Sequence, residues 1–576
     1  IDAKSIDEQI ENYTYKCAGY SLLINRKYTD KPLRFFMLTN GLLTRIYRWD
    51  TEEPILSLRF ADFVDGNMKF KALKNILSTT VVKTWSNKEP SNSTGHVLSR
   101  PKMDEIKRAF HRCHNIIWKS EKVSPQTAFV QFAKLLFVKL WEDRRLRDTP
   151  DLLALISNGD PLPSGQVRFS IHWIGEQEAH TPNPIDDILF RQLVDFLEKE
   201  IALRKRKRIF ELNERLELSA GTVKRVVEQL EDYYLFGIDE DLNGRMFETF
   251  LTATMRGKDL GQLFTPRSIT KLMVMLANLR AQPDYIEKVI DGCCGTAGFL
   301  IEALTVMRGQ LYENRSLTNT TREKLLEEVA NKAIFGIDAG KNPPIARIAR
   351  INMYLHGDGG SRIYTTDALR NIPKASGSDS VEVAQEITEL RTLLEEGVKF
   401  DVALTNPPFA MDYSMDVPDE KEILDGYDLA NYGGKHHKSL RSSVMFLERY
   451  WKLLRSGGRL LTVIDDSVLR GKTYVDVRKF LREHFIIRAI ISLHGDAFQR
   501  AGARVKTSVL FLTKKTDDEE RQSGAFVFES RYIGRDDVVP RTRESESERA
   551  RKNAKDEIDE ITEAFGAFSR GEQDVW

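Results

Sequence analysis

Short apolar segments alternate with longer amphipathic segments between about residues 283 and 515. Most of the apolar segments end in Asp or Asn, and they lie at 287–291, 332–338, 361–367, 400–406, 458–465, 486–493 and 507–513. This alternation predicts a parallel sheet covered by helices. Because ligands of open α/β sheets bind beyond the carboxyl ends of the strands, the Asp and Asn residues at those ends are candidates for a binding site.

Two other patterns precede this region. Residues 1–95 combine turn signals such as Asn40-Gly41 with strand-like segments at 19–25, 34–49 and 54–60, which predicts a small α/β unit. After a polar, turn-rich linker at 86–95, apolar residues recur at spacings of three and four. That spacing predicts helices over 106–118, 127–141, 185–203 and 219–235.

Composition excludes several classes of protein. The 576 residues suffice for three to five structural units, and 41% hydrophobic with 30% charged residues is typical of globular proteins. No apolar run is long enough to cross a membrane, and the polar, acidic first residues do not resemble a signal peptide. Four cysteines are too few for a disulfide scaffold and indicate a reducing cytoplasm.

Charge is distributed unevenly along the chain. The net charge is +1, but residues 516–576 hold 17 acidic and 10 basic residues, a net −7, which leaves +8 for residues 1–515. A basic body favours contact with nucleic acid, and the acidic tail is predicted to form a charged, exposed helix. The basic run Arg204–Arg208 fits a solvated helix face and a phosphate contact equally well.

A glycine-rich loop, Asp291–Leu300, joins a predicted strand to a predicted helix. Glycine permits a tight turn and the close approach of a ligand, and a helix N-terminus offers free N–H groups. Such a loop is common to many nucleotide-binding folds and also occurs as an ordinary strand-to-helix turn. Asp338 and Asp367 end the next two strands, where an acid can bind ribose hydroxyls or an adenine amino group, or act as a strand-end cap.

The most specific motif is Asn406-Pro407-Pro408-Phe409, directly after a predicted strand. The two prolines stiffen the turn and remove two N–H donors, which leaves carbonyl groups free to accept. The Asn406 side-chain oxygen and the Pro407 carbonyl can both accept hydrogen bonds from an exocyclic amine, which raises the nucleophilicity of that amine. Phe409 supplies a face on which a flat base can stack.

These motifs resemble those of N6-adenine DNA methyltransferases that use S-adenosylmethionine. The family pattern Asp-Pro-x-x-Gly-Thr-Gly-Gly-Phe-Leu matches the loop, with Gly292 in place of proline and Ala297 in place of the first paired glycine. A cofactor-clamping segment at 261–267 precedes the loop, as in the modification (M) subunits of type I restriction-modification systems. The helices before it, with residues 242–251, also resemble the N-terminal helical domain of that subunit.

The resemblance implies a role for each matching residue. Around S-adenosylmethionine it places Gln262, Leu263, Phe264, Thr265, Pro266 and Arg267, together with Asp291, Gly295, Thr296, Ala297 and Gly298 from the loop. Asp338 would bind the cofactor ribose and Asp367 the cofactor adenine. Asn406, Pro407, Pro408 and Phe409 would hold the target adenine, which must first be flipped out of the duplex.

Three further features bear on this interpretation. Lys435, His436 and His437 fit a phosphate contact no better than a solvated loop. Cys293 and Cys294 lie in the cofactor loop rather than at the target base, which argues against cytosine-5 chemistry. N4-cytosine methyltransferases usually begin the target motif with Ser, so Asn406 favours adenine.

The N-terminal segment carries a second resemblance. Asp2-Ala3-Lys4, Lys16–Tyr20 and the strand at 35–41 resemble the PD-(D/E)xK nuclease domain of type I restriction (R) subunits. The resemblance implies that Asp2 and Lys4 belong to a Mg²⁺-dependent nuclease site. Lys16 replaces the usual Gln, and the family's earlier metal-binding Asp would precede Ile1. The chain as given is therefore expected not to cleave DNA, and nicking of a cognate duplex with added Mg²⁺ would contradict this.

The predicted fold class is α/β: a Rossmann-like S-adenosylmethionine-dependent methyltransferase sheet, preceded by an all-helical domain and a small α/β nuclease-like domain. The expected domains are a partial nuclease-like domain, a helical domain like that of M subunits, the methyltransferase domain and a charged helical connector, at 1–90, 91–250, 251–515 and 516–576. The resemblance thus suggests a fused restriction-modification protein.

The predicted function is site-specific adenine methylation of double-stranded DNA in a restriction-modification or phage-defence system. A specificity subunit, or a C-terminal target-recognition domain outside this chain, is expected to select the sequence. Two alternatives remain open: a catalytically silent scaffold that binds DNA or cofactor, and a methyltransferase acting on RNA or protein.

Overall fold

The computed structural model describes most of the chain. The described residues are 2–3, 13, 17, 35–48, 54–64, 67, 69–70, 73, 96–101, 103–163, 165–204, 209–210, 213–235, 265–340, 345–356, 362–377, 379–409, 411–434, 436–498, 505–517, 519–535 and 544–571. They belong to two compact units, one comprising Ile1–Leu203, Phe210–Thr254 and Gly309–Leu326, the other Arg204–Ile209, Met255–Arg308 and Glu327–Trp576.

The first unit begins with a small sheet. Its strands are β1 (Asp2–Ala3), β2 (Phe35–Thr39), β3 (Leu43–Arg48) and β4 (Pro54–Arg59), paired in that order. β1 runs parallel to β2, and the other pairs are antiparallel. The predicted strands at 34–49 and 54–60 are confirmed, with the Asn40 side chain accepting from the backbone of Leu43 at the turn. The predicted strand at 19–25 lies outside the described residues.

Helices follow in the same unit: α1 (Met103–Glu121), α2 (Pro125–Arg147), α3 (Pro150–Asn158), α4 (Ile171–Gln177), a π-helical turn Ile185–Phe190, α5 (Arg191–Arg204) and α6 (Ala220–Leu230). They confirm the predicted helical segments. Ser124 and Ser219 cap α2 and α6 through their hydroxyls, as expected of serine before a helix. Of the basic run at 204–208, residues 205–208 lie outside the described part, and so do residues 242–251.

The second unit contains a central sheet with helices around it. The elements from Arg267 onward are α7 (Arg267–Ala277), β5 (Ala281–Gln282), β6 (Tyr285–Ile286), β7 (Val289–Asp291), α8 (Gly298–Glu313), α9 (Asn319–Glu328), β8 (Ile334–Asp338), α10 (Ile345–Leu355), β9 (Arg362–Thr365), α11 (Val381–Glu395), β10 (Phe400–Thr405), β11 (Asp412–Ser414), α12 (Pro418–Leu424), β12 (Ser439–Arg441), α13 (Ser442–Leu453), β13 (Leu454–Asp465), α14 (Asp466–Arg470), α15 (Val475–His484), β14 (Phe485–Ser492), β15 (Thr507–Lys514), β16 (Phe526–Glu529) and α16 (Glu544–Ser569). They belong to the second unit, except that Gly309–Leu326, with the end of α8 and most of α9, belongs to the first.

The eight-stranded sheet has the order β16-β14-β15-β13-β10-β7-β8-β9. All seven apolar segments predicted from the sequence are strands, but the expected all-parallel sheet is wrong at β15, which runs antiparallel to β13 and β14. β15 follows β14 with no helix in the described part of the connection. Without a helical crossover the chain returns in the opposite direction, whereas parallel neighbours need such a crossover.

The charged tail differs from its expected exposed form. Ala554, Ile558 and Ile561 on α16 are buried, and the Phe565 ring lies 5.5 Å from that of Phe511 in β15. These four positions recur at spacings of three and four, so an apolar stripe lies within the charged sequence and packs one face of the helix. No helix in the described part of the chain is long and apolar enough to cross a membrane.

Glu557 ties α16 to the segment after β16. Its carboxylate is 5% exposed and accepts hydrogen bonds from the Ser530 hydroxyl and from the backbone N–H groups of Arg531, Tyr532 and Ile533, at 2.7–3.1 Å. A single carboxylate therefore satisfies the donors of an entire turn. This contact explains why an acidic residue occupies the packed face of the helix.

We expect Glu557→Ala to lower the free energy of unfolding by about 2–3 kcal/mol, because it leaves buried donors without an acceptor. Urea denaturation measures the change. Glu557→Gln keeps one acceptor oxygen and should lose less. Glu560→Ala, on the exposed face of the same helix, is the matched control, and an equal loss in both alanine variants would contradict the role given to Glu557.

Candidate functional site

The carboxyl ends of four neighbouring strands carry the predicted site residues of the second unit. Asp291 ends β7, Asp338 ends β8, Asp367 follows β9 and Asn406 follows β10. β7 pairs with β8 on one side and β10 on the other, all parallel. The chain order reverses between β7 and β10, and a crevice at such a point is where ligands bind in open α/β sheets.

The loop after β7 is held by the carboxylate of the next strand. Asp338 Oδ2 accepts from the Gly295 N–H at 3.0 Å, and Oδ1 accepts from the Gly340 N–H at 2.9 Å. Gly295 has a φ of 53°, a left-handed conformation that favours glycine. Burial raises the pKa of Asp338, while both N–H donors oppose that rise.

Ala297 and Gly298 end the loop and begin the helix α8. Ala297 takes the left-handed φ of 70° that the family pattern gives to glycine, and its N–H donates to the Cys294 carbonyl at 2.8 Å. Gly298 opens α8, and a Cβ added there would have no neighbouring atom within 4 Å among the described residues. Among the described residues, nothing fills the space beside Gly298 at the helix N-terminus, as a ligand bound at such a terminus requires.

Asp291 is the most buried acid of the site, with 1% exposure. Its Oδ1 accepts from the Cys293 N–H at 3.1 Å and from the Thr405 hydroxyl at 2.9 Å. Burial raises the pKa of Asp291 to about 7; the two donors oppose the rise, and the Asp338 charge adds to it. The carboxyl is thus poised to respond to a nearby cation.

Asn406 is oriented by a residue of the predicted cofactor clamp. Its Nδ2 donates to Thr265 Oγ1 at 3.0 Å. Its Oδ1 is buried and has no hydrogen-bond partner among the described residues. A buried acceptor left in this way costs free energy unless a donor outside the described residues satisfies it, and a ligand with an N–H group has the donor that it lacks.

The rest of the motif is fixed by its surroundings. The Pro408 carbonyl accepts from the Ser442 hydroxyl at 2.9 Å. The Phe409 ring is 9% exposed and lies nearly perpendicular to that of Phe498, at a centroid distance of 5.7 Å and an interplanar angle of 79°. The turn is therefore rigid while the Asn406 oxygen remains available.

Asp367 is already engaged by the protein. Its Oδ1 accepts from the Leu369 N–H at 2.9 Å, and its Oδ2 accepts from the Tyr413 hydroxyl at 2.7 Å. With these two contacts Asp367 acts as a cap at the end of β9. A carboxylate oxygen can accept more than one hydrogen bond, so a ligand amine is compatible with this arrangement.

Sequence patterns did not reveal several residues that support the site. Asn352 on α10 is 3% exposed and donates from Nδ2 to the Thr296 carbonyl at 2.8 Å. Tyr450 on α13 is fully buried and contacts both Gly292 and Thr405. Both lie within helices whose periodicity indicates only core packing. Their polar contacts join residues 56 and 158 positions apart, and local patterns carry no information about such pairs.

The remaining predictions fall partly outside the described residues. Gln262, Leu263, Phe264, Lys435 and Lys4 are not among those described. Asp2 lies in β1, and no group of His, Cys, Asp or Glu that would hold a metal occurs among the described residues. Desolvation raises the pKa of the Cys293 and Cys294 thiols, which disfavours the thiolate that cysteine nucleophiles need.

Comparison with known proteins adds independent findings. The family described as N-6 DNA Methylase matches residues 238–575. The StySPI type I methylase subunit of Salmonella potsdam is 29% identical over 283 residues, 49% of this chain and 46% of that protein. The EcoEI type I methylase subunit of Escherichia coli is 24% identical over 403 residues, 68% of this chain and 71% of that protein.

The fold also has a solved counterpart. The modification subunit of a type I restriction enzyme from Vibrio vulnificus matches with a TM-score of 0.50 and 16% identity, covering 77% of this chain and 86% of that one. At this identity the match shows the fold alone. The chain spans about half the length of the StySPI subunit (46%), so this match does not show that the chain has the activity of the whole relative.

The raised pKa of Asp291 makes stability depend on pH. The unfolded carboxyl ionises near 3.8, whereas the folded one keeps its proton until about pH 7. Between these values the folded state binds more protons, so the parent should lose stability relative to Asp291→Asn as pH rises, by up to about 1.4 kcal/mol per pH unit. Urea denaturation between pH 5 and 8 measures the difference, which should level off above pH 7. A difference that does not vary with pH would contradict this assignment.

Proposed function

The chain belongs to the N-6 DNA methylase family, and on that premise we propose that it transfers a methyl group from S-adenosylmethionine to N6 of an adenine flipped out of duplex DNA. The observation that carries the proposal is the buried, unpartnered Oδ1 of Asn406 among the described residues. A base amine is a donor of the kind that this acceptor lacks.

The loop residues fit the cofactor in charge and shape. S-adenosylmethionine would supply an activated methyl group on a positively charged sulfur. Two buried acids with raised pKa values, Asp291 and Asp338, lie beside the open loop, and a cation would favour their charged forms. The Asp338 oxygens also have the lone pairs to accept ribose hydroxyls, and Gly298 leaves room for the methionine portion.

Asn406 would raise the nucleophilicity of the target amine. Its Oδ1 and the Pro407 carbonyl would accept hydrogen bonds from the two N6–H groups, which would draw the nitrogen lone pair out of conjugation with the ring. The Phe409 ring, which packs nearly perpendicular to that of Phe498, would stack against the base. The transfer would be an in-line displacement: the N–CH3 bond would form as the S–CH3 bond breaks, the neutral thioether would leave, and N6 would lose one proton. Positioning would supply most of the rate, and no covalent enzyme intermediate would be required.

The biological setting forms part of the same proposal. The relatives named above are methylase subunits of type I restriction enzymes. We infer that this chain acts in a restriction-modification or phage-defence system, and that a specificity subunit or a further recognition domain selects its DNA sequence. The sheet of residues 35–59 would be part of a nuclease-like domain, which would use Mg²⁺ if its metal site were complete.

We expect Asn406→Ala to lower methyl transfer to DNA at least about 100-fold, because the group that positions and activates the amine is lost. Transfer of tritium from labelled S-adenosylmethionine to mixed-sequence duplex DNA measures it, in the presence of whatever recognition subunit the system needs. Asn319→Ala, an amide at the start of α9, is the matched control. Cofactor binding should persist in both variants.

The outcomes of this experiment separate the alternatives. No labelling by the parent despite cofactor binding would favour the silent scaffold. Labelling of RNA or protein instead of DNA would show that the chain is a methyltransferase with one of those substrates. Equal labelling by the parent and Asn406→Ala would show that Asn406 has no catalytic role.

Thr265 orients the Asn406 amide, so its hydroxyl should matter for catalysis. Thr265→Val keeps the side-chain shape but removes the acceptor of the Nδ2 hydrogen bond. We expect kcat to fall about 10-fold, with Thr265→Ser restoring it, because one hydrogen bond contributes about 0.5–1.5 kcal/mol. Steady-state kinetics at saturating cofactor measure kcat apart from KM. Equal loss in the Val and Ser variants would argue against orientation through the hydroxyl.

A further inference from the structure

Tyr450 lies between the glycine-rich loop and the strand that leads to Asn406. Its hydroxyl accepts from the Gly292 N–H at 2.7 Å and donates to Thr405 Oγ1 at 2.9 Å. Thr405 Oγ1 donates in turn to Asp291 Oδ1 at 2.9 Å. Since Asp291 and Gly292 are neighbours in the chain, the contacts form a closed ring, which we call the Tyr450 ring, across the ends of β7 and β10.

The Tyr450 ring is removed from water. Tyr450 and Thr405 have no exposed surface, and Asp291 has 1%. A buried donor or acceptor that loses its partner cannot turn to solvent, so the free energy of its desolvation is not recovered. Each member therefore fixes the position of the next. A change at one strand end reaches the other through two hydroxyl groups.

The backbone at Gly292 is shaped around the tyrosine. A Cβ added to Gly292 would lie 2.9 Å from the Tyr450 hydroxyl oxygen, 3.2 Å from Phe446 Cε1 and 3.3 Å from Ala368 Cβ. The first distance is too short for any side chain to be tolerated without movement. Where the family pattern has proline, which lacks an N–H group, this chain has a glycine that donates to Tyr450.

We propose that Tyr450 is a positioning residue that couples the cofactor loop to the strand carrying the catalytic Asn406. Its hydroxyl holds the start of the loop through Gly292 and holds Thr405, the residue directly before Asn406. Order in the loop and orientation of the catalytic amide therefore change together. The catalytic consequence rests on the proposed function, whereas the mechanical coupling does not.

A double-mutant cycle of the whole chain tests the coupling. The proteins are the parent, Tyr450→Phe, Gly292→Ala and the double variant, and the first measurement is the Kd for S-adenosylmethionine by calorimetry. Tyr450→Phe should weaken binding about 3- to 10-fold, as expected for one lost hydrogen bond. Gly292→Ala should weaken it more. The double variant should bind more tightly than Gly292→Ala alone, because removing the hydroxyl removes the closest contact of the new methyl group.

Kinetics and hydrogen exchange separate positioning from simple stabilisation. In Tyr450→Phe, we expect a lower kcat at saturating cofactor and a higher KM for the cofactor. Protection of backbone amides from hydrogen exchange should fall both in 292–298 and in 405–409. Tyr364→Phe is the matched control, because it also removes a buried tyrosine hydroxyl, one that donates to Glu389 on α11 at 2.9 Å and belongs to neither segment. It should leave both segments and kcat unchanged.

Each outcome decides the proposal. Losses that multiply in the double variant, or protection that falls in only one of the two segments, would overturn the coupling. If Tyr450→Phe does not fold, Thr405→Val interrupts the Tyr450 ring from the other side and should give the same paired loss of protection. Binding and exchange do not require methyl transfer. A parent that fails to methylate DNA would therefore sink the proposed function while leaving the coupling open to confirmation or refutation by these measurements.

Discussion

The burial of two carboxyl groups at the ends of β7 and β8 is the constraint on which the rest of the site depends. Asp291 and Asp338 are 1% and 8% exposed, and water cannot stabilise their charge. Backbone N–H groups of Cys293, Gly295 and Gly340 donate to them, and the Thr405 hydroxyl also donates to Asp291. The course of the loop is therefore determined by the need to supply these donors, rather than by its glycine content alone.

The sheet could be predicted because its information is local. Each apolar run of five to eight residues followed by Asp or Asn, such as those ending at Asp291, Asp338 and Asn406, specifies a buried strand and a polar end. Parallel pairing then brings those ends together without further information. The reversed direction of β15 was not predicted, since strand direction depends on the connection rather than on the strand.

The supporting side chains of the site could not be predicted, because their partners are distant in sequence. Tyr450 and Asn352 look like core residues of amphipathic helices until the loop that they hold is in place. The same reason explains the tail. The apolar stripe of α16, which includes Ile558 and Ile561, lies among many charged residues and is hard to recognise in the sequence. Glu557 looks like a surface residue in the sequence, because the backbone groups that donate to it lie on another segment. The ligand proposed for each site residue comes from the family resemblance, because the geometry of the residues does not by itself identify which ligand each one binds.

Ala297 has a consequence for how the domain assembles. A side chain in the left-handed region disfavours the turn by about 1–2 kcal/mol, so the isolated segment after β7 has little tendency to adopt its final course. The contact that compensates, from Gly295 to Asp338, spans 43 residues and exists only after β8 has joined the sheet. We therefore expect the turn to form only once β8 has joined the sheet. A ligand that binds this turn should then bind only chains whose sheet is complete, so the amount of bound ligand would report how much of the protein is correctly assembled.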